Sequence, residues 1–128
     1  MKYWRLLAEY DSETTTYTAC AGPKGASPYL PDASGRLRGL RVIVNRSAAT
    51  SLVNHVQFRL TCTGWSPNAI EVGGQGSGLQ TAPAFQPAQM DWEVDQPIQS
   101  GVSISIEGRN NTVDTPVSVS VMLYGLFE

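Results

Sequence analysis

The chain has 128 residues, 41% of them hydrophobic and only 16% charged, with a formal net charge of −2. That length fits one domain, which can bury roughly two-thirds of the surface its unfolded chain exposes, so structural metals and multiple disulfides are not needed for a core. The near-neutral balance argues against nucleic acid as a partner, and no run approaches the ~18 apolar residues of a membrane span.

Tyr3 to Tyr10 is the first predicted strand, with Trp4, Leu6, Ala8 and Tyr10 on one face. An amphipathic helix is the alternative, and the aromatic residues and the Thr run that follows favour the strand. Asp11-Ser12-Glu13 turns the chain into a second strand, Thr14 to Cys20. Residues 21 to 36 carry three prolines and three glycines and read as a long loop, in which Tyr29 and Leu30 are candidate partner contacts. Leu37 to Asn45 is a strand with Leu40, Val42 and Val44 on one face, followed by a polar connection or single helical turn from Arg46 to Val53.

Asn54 to Thr63 alternates cleanly: Val56, Phe58, Leu60 and Cys62 on one face, His55, Gln57, Arg59 and Thr61 on the other. Trp65 follows in a Gly-Trp-Ser-Pro turn, the position that best suits an exposed aromatic ring. Ala69 to Val72 is a short strand, Gly73 to Gly78 a flexible hairpin tip, and Leu79 to Pro87 a loop or sheet edge, because Pro83 and Pro87 cannot donate to a ladder. Gln89 to Val94 is a strand that places Met90, Trp92 and Val94 together, with Trp92 expected in the core, and Asp95 to Gly101 is a turn. Two alternating strands close the chain, Val102 to Glu107 and Val117 to Tyr124, the second leading into Leu126 and Phe127. Seven to nine short strands with a turn about every ten residues, and long irregular connections, predict an all-β antiparallel sandwich of jelly-roll type in a single domain.

Catalytic chemistry finds little support. His55 is the only histidine, no Gly-x-Ser-x-Gly elbow marks a nucleophile, and no second His or paired Cys stands at zinc-ligand spacing. Asp91, Glu93 and Asp95 alternate on one strand; such a row suits Ca²⁺ or a glycosidase, or it is a solvated or Arg-paired strand face. The glycine run lacks the Gly-Lys-Ser/Thr ending of a phosphate loop. No catalytic residue, metal or cofactor is therefore expected. Cys62 reads as a buried free thiol, with a Cys20–Cys62 disulfide as the alternative.

The cations are seven Arg and only two Lys, with Arg36, Arg38, Arg41 and Arg46 clustered. Arg is favoured over Lys in protein interfaces; phosphate contact by Arg36, Arg38 and Arg46 is the other use of such a cluster. A surface poor in charge but rich in Ser, Thr, Asn, Gln and Gly is that of an interface or simply of a β-rich domain. The expected interface residues are Tyr29, Arg36, Arg38, Arg59, Trp65, Arg109 and Phe127.

The alternating strands, the Pro/Gly-rich loops, the low-charge surface and the final strand from Val117 to Phe127 together resemble small single-jelly-roll virion proteins, the capsid and capsid-decoration or cement proteins of viruses including phages. The resemblance implies a non-enzymatic structural protein that binds itself or other capsid proteins. It also implies residence in the virion after synthesis in a host cytoplasm, which fits the absence of a signal-peptide pattern at Met1 to Leu7. The chain departs from many capsid proteins in lacking a basic N-terminal arm. A carbohydrate-binding sandwich, with Trp65 and a tyrosine forming a platform for a glycan, is the alternative.

Overall fold

The computed structural model describes residues 1–10, 16–20, 28–46, 54–76, 88–110 and 119–128. Among them are eight strands and no helix: β1 (Tyr3–Tyr10), β2 (Thr18–Ala19), β3 (Gly35–Arg46), β4 (Asn54–Thr61), β5 (Ala69–Gly76), β6 (Ala88–Ile98), β7 (Ser105–Asn110) and β8 (Val119–Phe127). The loop segments at 21–27 and 77–87, the connection at 47–53 and the start of the expected second strand lie outside the described residues.

The strands form two four-stranded sheets, ordered β1-β8-β3-β6 and β2-β7-β4-β5. Antiparallel pairs join β1 to β8, β2 to β7, β3 to β6 and β4 to β5, so the chain is one long ribbon folded back on itself at the β4–β5 turn. Rolling that ribbon brings β3 beside β8 and β4 beside β7, which completes both sheets. This is the strand order of a jelly roll, and the all-β sandwich expected from the alternation is the fold.

The core lies between the sheets. Leu7, Leu37, Leu40, Val42, Val121 and Leu123 on one side meet Val56, Phe58, Leu60, Val72, Ile104 and Ile106 on the other. Tyr10 stands edge-on to Phe58 at 6.2 Å between ring centres. Gly108 lies beneath that pair, where a Cβ would come within 2.7 Å of the Tyr10 ring, so the close approach of β7 to Tyr10 needs glycine.

Two bulges reset the period-two pattern. One between Leu6 and Ala8 leaves both Leu7 and Ala8 buried. The expected single face of β1 is thereby split: Trp4 and Leu6 share the outer face with their register partners Leu126 and Tyr124, whereas Ala8 and Tyr10 lie in the core. The second bulge sits between Leu37 and Gly39, opposite the step from Gln96 to Glu93 in β6. It puts Leu37 and Leu40 on the same inner face and lets β6 run on to Ile98, through residues expected to turn.

Two further boundaries differ from expectation. Gly73 to Gly76 belong to β5, paired with Gln57 to Asn54, rather than to a hairpin tip. Gly73 has room for little more than hydrogen there, since a Cβ would lie 3.1 Å from the Val56 carbonyl oxygen. The strand expected at Val102 begins as an isolated bridge between Tyr29 and Ile104 and becomes β7 only at Ser105.

Candidate interaction face

The two outer faces of the sandwich differ in chemistry. On the β2-β7-β4-β5 sheet the polar groups satisfy one another. Arg59 donates from Nε and Nη2 to Glu107 Oε1 at 3.2 and 2.9 Å, and Arg109 Nε donates to Gln57 Oε1 at 2.7 Å. The Tyr17 ring receives both guanidinium groups, at 4.3 Å from Arg59 and 4.5 Å from Arg109, and its hydroxyl donates to Glu71 Oε1 at 3.4 Å. Burial, with the nearby Glu71 carboxylate adding to it, raises the Tyr17 pKa above its ordinary value. Among the described residues these polar groups are paired within the chain.

The outer face of the β1-β8-β3-β6 sheet carries an apolar group from β1, β8 and β3 beside charged and polar residues. In register across it stand Trp4, Leu126, Gly39 and Glu93, then Leu6, Tyr124, Arg41 and Asp91, then Glu9, Met122, Ile43 and Gln89. Inside the same strand, Val121 and Leu123 are fully buried. From Val121 to Leu126 only Gly125 interrupts the run of large apolar side chains, so β8 is apolar on both faces. An antiparallel strand with one face in water alternates apolar and polar residues, whereas a near-continuous apolar run belongs to a strand covered on both sides.

Arginine and carboxylate groups frame this patch. Arg41 lies over the Trp4 ring at 4.1 Å and grips Asp91 through two bonds, Nε to Oδ1 at 2.8 Å and Nη2 to Oδ2 at 3.0 Å. Arg36 Nε and Arg38 Nη1 converge on Asp95 Oδ1 at 2.7 and 2.9 Å, and Arg38 also reaches Glu128 at 3.5 Å. These hydrogen bonds hold the Asp91 and Asp95 carboxyls below the usual aspartate range, Arg41 acting on the first and Arg36 chiefly on the second. Glu93, between them, has no ion-pair partner among the described residues. An open groove of about 800 Å³ crosses the patch, floored by Trp4, Gly39 and Leu126 and edged by Lys2, Arg38 and Glu93. The missing side chain at Gly39 helps form it, since a Cβ there would lie 3.4 to 3.6 Å from Leu126, Trp92 and Trp4.

The seven expected interface residues do not form one patch. Arg36 and Arg38 border the apolar face, whereas Arg59 and Arg109 lie on the opposite outer face. Trp65, expected to be exposed, is buried at 4% exposure, because the turn after β4 folds back against β6. Its indole N–H donates to the Pro97 carbonyl at 2.8 Å, while Gln96 clamps Ser66 by accepting from its N–H at 3.4 Å and donating to its carbonyl at 3.2 Å. Tyr29 and Phe127 are also buried, stacked at 6.1 Å, with Tyr3 stacked on Phe127 at 5.9 Å. The Tyr29 hydroxyl accepts from Arg5 at 3.4 Å.

Trp92 reverses the expectation in the other direction. Its register partner Leu40 is a core residue, yet β6 is a sheet edge, and the ring is 40% exposed at the open side of the sandwich. Its indole N–H donates to the Gly73 carbonyl of β5 at 3.0 Å, bridging the edges of the two sheets. The acidic row resolves as arginine-paired charge at Asp91 and Asp95, and among the described residues no group of three His, Cys, Asp or Glu is placed to hold a metal ion. His55 lies in β4 opposite Gln75, and its side chain is outside the described set. Cys20 and Cys62 are buried free thiols, not a disulfide, and burial pushes the Cys20 pKa up to about 12.

Trp4, Leu6, Ile43, Met122, Tyr124 and Leu126, which make the apolar face, were absent from the expected interface. The signal that marks them is the failure of alternation after Val121, where the outward positions of β8 become Met, Tyr and Leu.

The fold places the chain among the jelly rolls. No family model matches it, and no curated protein matches it by sequence. Among solved structures it is similar to a chain of infectious bursal disease virus, Gx strain, with 13% identity and a TM-score of 0.49 over 99% of this chain. This chain spans 31% of that one. At that score the likeness decides nothing about function.

Proposed function

We propose that this chain is a non-enzymatic structural protein of a virion, a capsid or capsid-decoration subunit acting through protein–protein contacts on the outer face of the β1-β8-β3-β6 sheet. The observation that carries this reading is β8, apolar toward the core at Val121 and Leu123 and apolar outward at Met122, Tyr124 and Leu126. A strand of that composition suits cover on both sides, and this chain covers the outward side chains only in part. Jelly rolls serve as capsid, lectin and cupin domains, so the fold allows this role without selecting it.

The glycan-binding alternative loses its expected platform, since Trp65 lies in the core and one face of Trp4 already carries Arg41. The acidic row lends no better support to hydrolysis, because Asp91 and Asp95 are engaged by arginines.

The test is electron microscopy and light scattering of the purified protein, beside the variant Ile43→Glu. Ile43 lies at the middle of the face in register with Met122, so a charge there leaves the core intact and spoils the contact. Discrete particles that vanish in the variant, with an unchanged melting temperature, are the expected result. Particles unaffected by Ile43→Glu refute the assignment of this face. No particle, together with tryptophan fluorescence that shifts on a glycan panel, refutes the structural role.

A further inference from the structure

We propose that the free edge of β6, from Gln89 to Val94, is a strand-addition site for an extended segment of another polypeptide that alternates apolar residues with Lys or Arg. This edge is distinct from the outer face of the sheet, and either contact can fail without the other.

Position is the first argument. β6 ends the order β1-β8-β3-β6, so β3 takes one of its edges and, among the described residues, no strand takes the other. Alternate residues of an edge strand point their backbone N–H and C=O groups away from the sheet, which makes a template for a further strand. Prolines and bulges are the usual means of blunting such an edge. In β6 they stand toward the C-terminal end, at Pro97 and at the shift between Gln96 and Glu93. From Ala88 to Glu93 the register with β3 is unbroken.

The side chains of that same stretch give a second, independent argument. Met90 and Trp92 are in register with Val42 and Leu40, both fully buried, and so belong to the inner side of the sheet. They are nevertheless 42% and 40% exposed. The facing edge strand, β5, meets Trp92 through the Gly73 carbonyl and continues to Gly76 with two more glycines, which bring no side chain toward the gap. A strand added to β6 lays its own inward residues beside Met90 and Trp92 and covers them.

Charge names the occupant. The outward residues of β6 are Asp91, Glu93 and Asp95. On the β3 side Arg41 pairs with Asp91, and Arg36 and Arg38 pair with Asp95. Glu93 stands opposite Gly39 and has no ion-pair partner among the described residues. β3 thus presents aliphatic residues inward and arginines outward, and leaves one carboxylate for a neighbour on the other edge. A Lys or Arg beside Glu93 completes the row. Two copies of β6 paired antiparallel and centred anywhere from Asp91 to Asp95 set carboxylate opposite carboxylate, which argues against a second β6 as the occupant.

The experiment uses the full chain and a capped peptide of about nine residues, the length of a strand, alternating threonine and valine with lysine at its centre. A second peptide carries glutamate at the centre. Fluorescence anisotropy of the labelled peptides gives Kd, and hydrogen exchange followed by nuclear magnetic resonance reads the β6 amides. In the free protein, alternate amides between Gln89 and Val94 should exchange at least about tenfold faster than those bonded to β3, and the lysine peptide should slow them. Glu93→Lys, at an exposed position, retains the fold by circular dichroism. It should weaken the lysine peptide by about three- to tenfold and favour the glutamate peptide instead. Uniformly protected β6 amides in the free protein overturn the inference, because the edge is then already covered. So does a lysine peptide that fails to bind at about 1 mM, protection that appears away from β6, or a peptide preference unchanged by Glu93→Lys. Particles lost on Ile43→Glu, alongside any of these results, keep the outer face as a contact and remove the strand-addition site.

Discussion

Replacing Trp65 by alanine will damage the fold itself rather than association. The side chain is 4% exposed. A buried tryptophan removes roughly 200 Å² from water, which at ~25 cal/mol/Å² is about 5 kcal/mol. Compaction of the unfolded chain lowers this to about 3–4 kcal/mol. Losing the indole hydrogen bond to Pro97 costs about 1 kcal/mol more. The expected loss is therefore about 4–5 kcal/mol, a large part of the ~5–15 kcal/mol that stabilises a typical domain. Urea unfolding followed by far-ultraviolet circular dichroism measures it, and Trp65→Phe, which keeps most of the packing, should lose well under half as much. At fixed cooperativity the alanine variant should unfold at a markedly lower urea midpoint. A loss below about 1 kcal/mol, with unchanged cooperativity, would show that the turn is not clamped to β6 and would restore Trp65 as a surface residue.

Three other outcomes follow from the same packing. Gly108→Val should destabilise by about 1–3 kcal/mol or more, because its Cβ enters the 2.7 Å space beside Tyr10; thermal melts of the variant give the value. Neither Cys20 nor Cys62 should react with a thiol reagent in the native protein near neutral pH, and both should react in denaturant; rapid native labelling would contradict their burial. The stabilisation that Asp91 gains from Arg41, and Asp95 from Arg36, is present above the ordinary aspartate pKa of 3.8 and is lost as the pH falls through the lower folded values. Melting temperatures followed into that acid range should therefore decline less steeply in Asp91→Asn than in the wild type.

Much of the fold was legible because period-two alternation survives wherever a strand is regular. β4 is the clearest case: Val56, Phe58 and Leu60 are buried as the pattern requires. The pattern misled at bulges, where one inserted residue shifts every later side chain to the other face. Trp4 and Tyr10 share parity in sequence yet lie on opposite faces, because the step between Leu6 and Ala8 intervenes. Gln96 and Ile98 are buried beyond the second bulge, in a stretch whose Pro and polar residues resemble a turn. Trp65 misled for another reason. A Gly-Trp-Ser-Pro sequence describes a turn, but whether a turn lies in solvent or folds onto the end of a sandwich depends on distant groups, here Pro97 and Gln96.

The proposed contact face was hidden for the opposite reason, since its residues look like core. Met122, Tyr124 and Leu126 have the composition of an interior strand, and only the strand order shows that they lie on the outer face, where they are partly buried. An arginine count pointed to Arg36, Arg38, Arg59 and Arg109, yet each has a hydrogen-bonding or ion-pair partner within the chain. Arginine near a surface thus marked two different situations. On the β2-β7-β4-β5 sheet it closes a polar network around Tyr17. On the β1-β8-β3-β6 sheet Arg36 and Arg38 lie at the edge of the apolar group while Arg41 lies across it, over Trp4. The contrast between the two faces of one sandwich, more than any single residue, is what supports the proposal that the β1-β8-β3-β6 face is a contact surface.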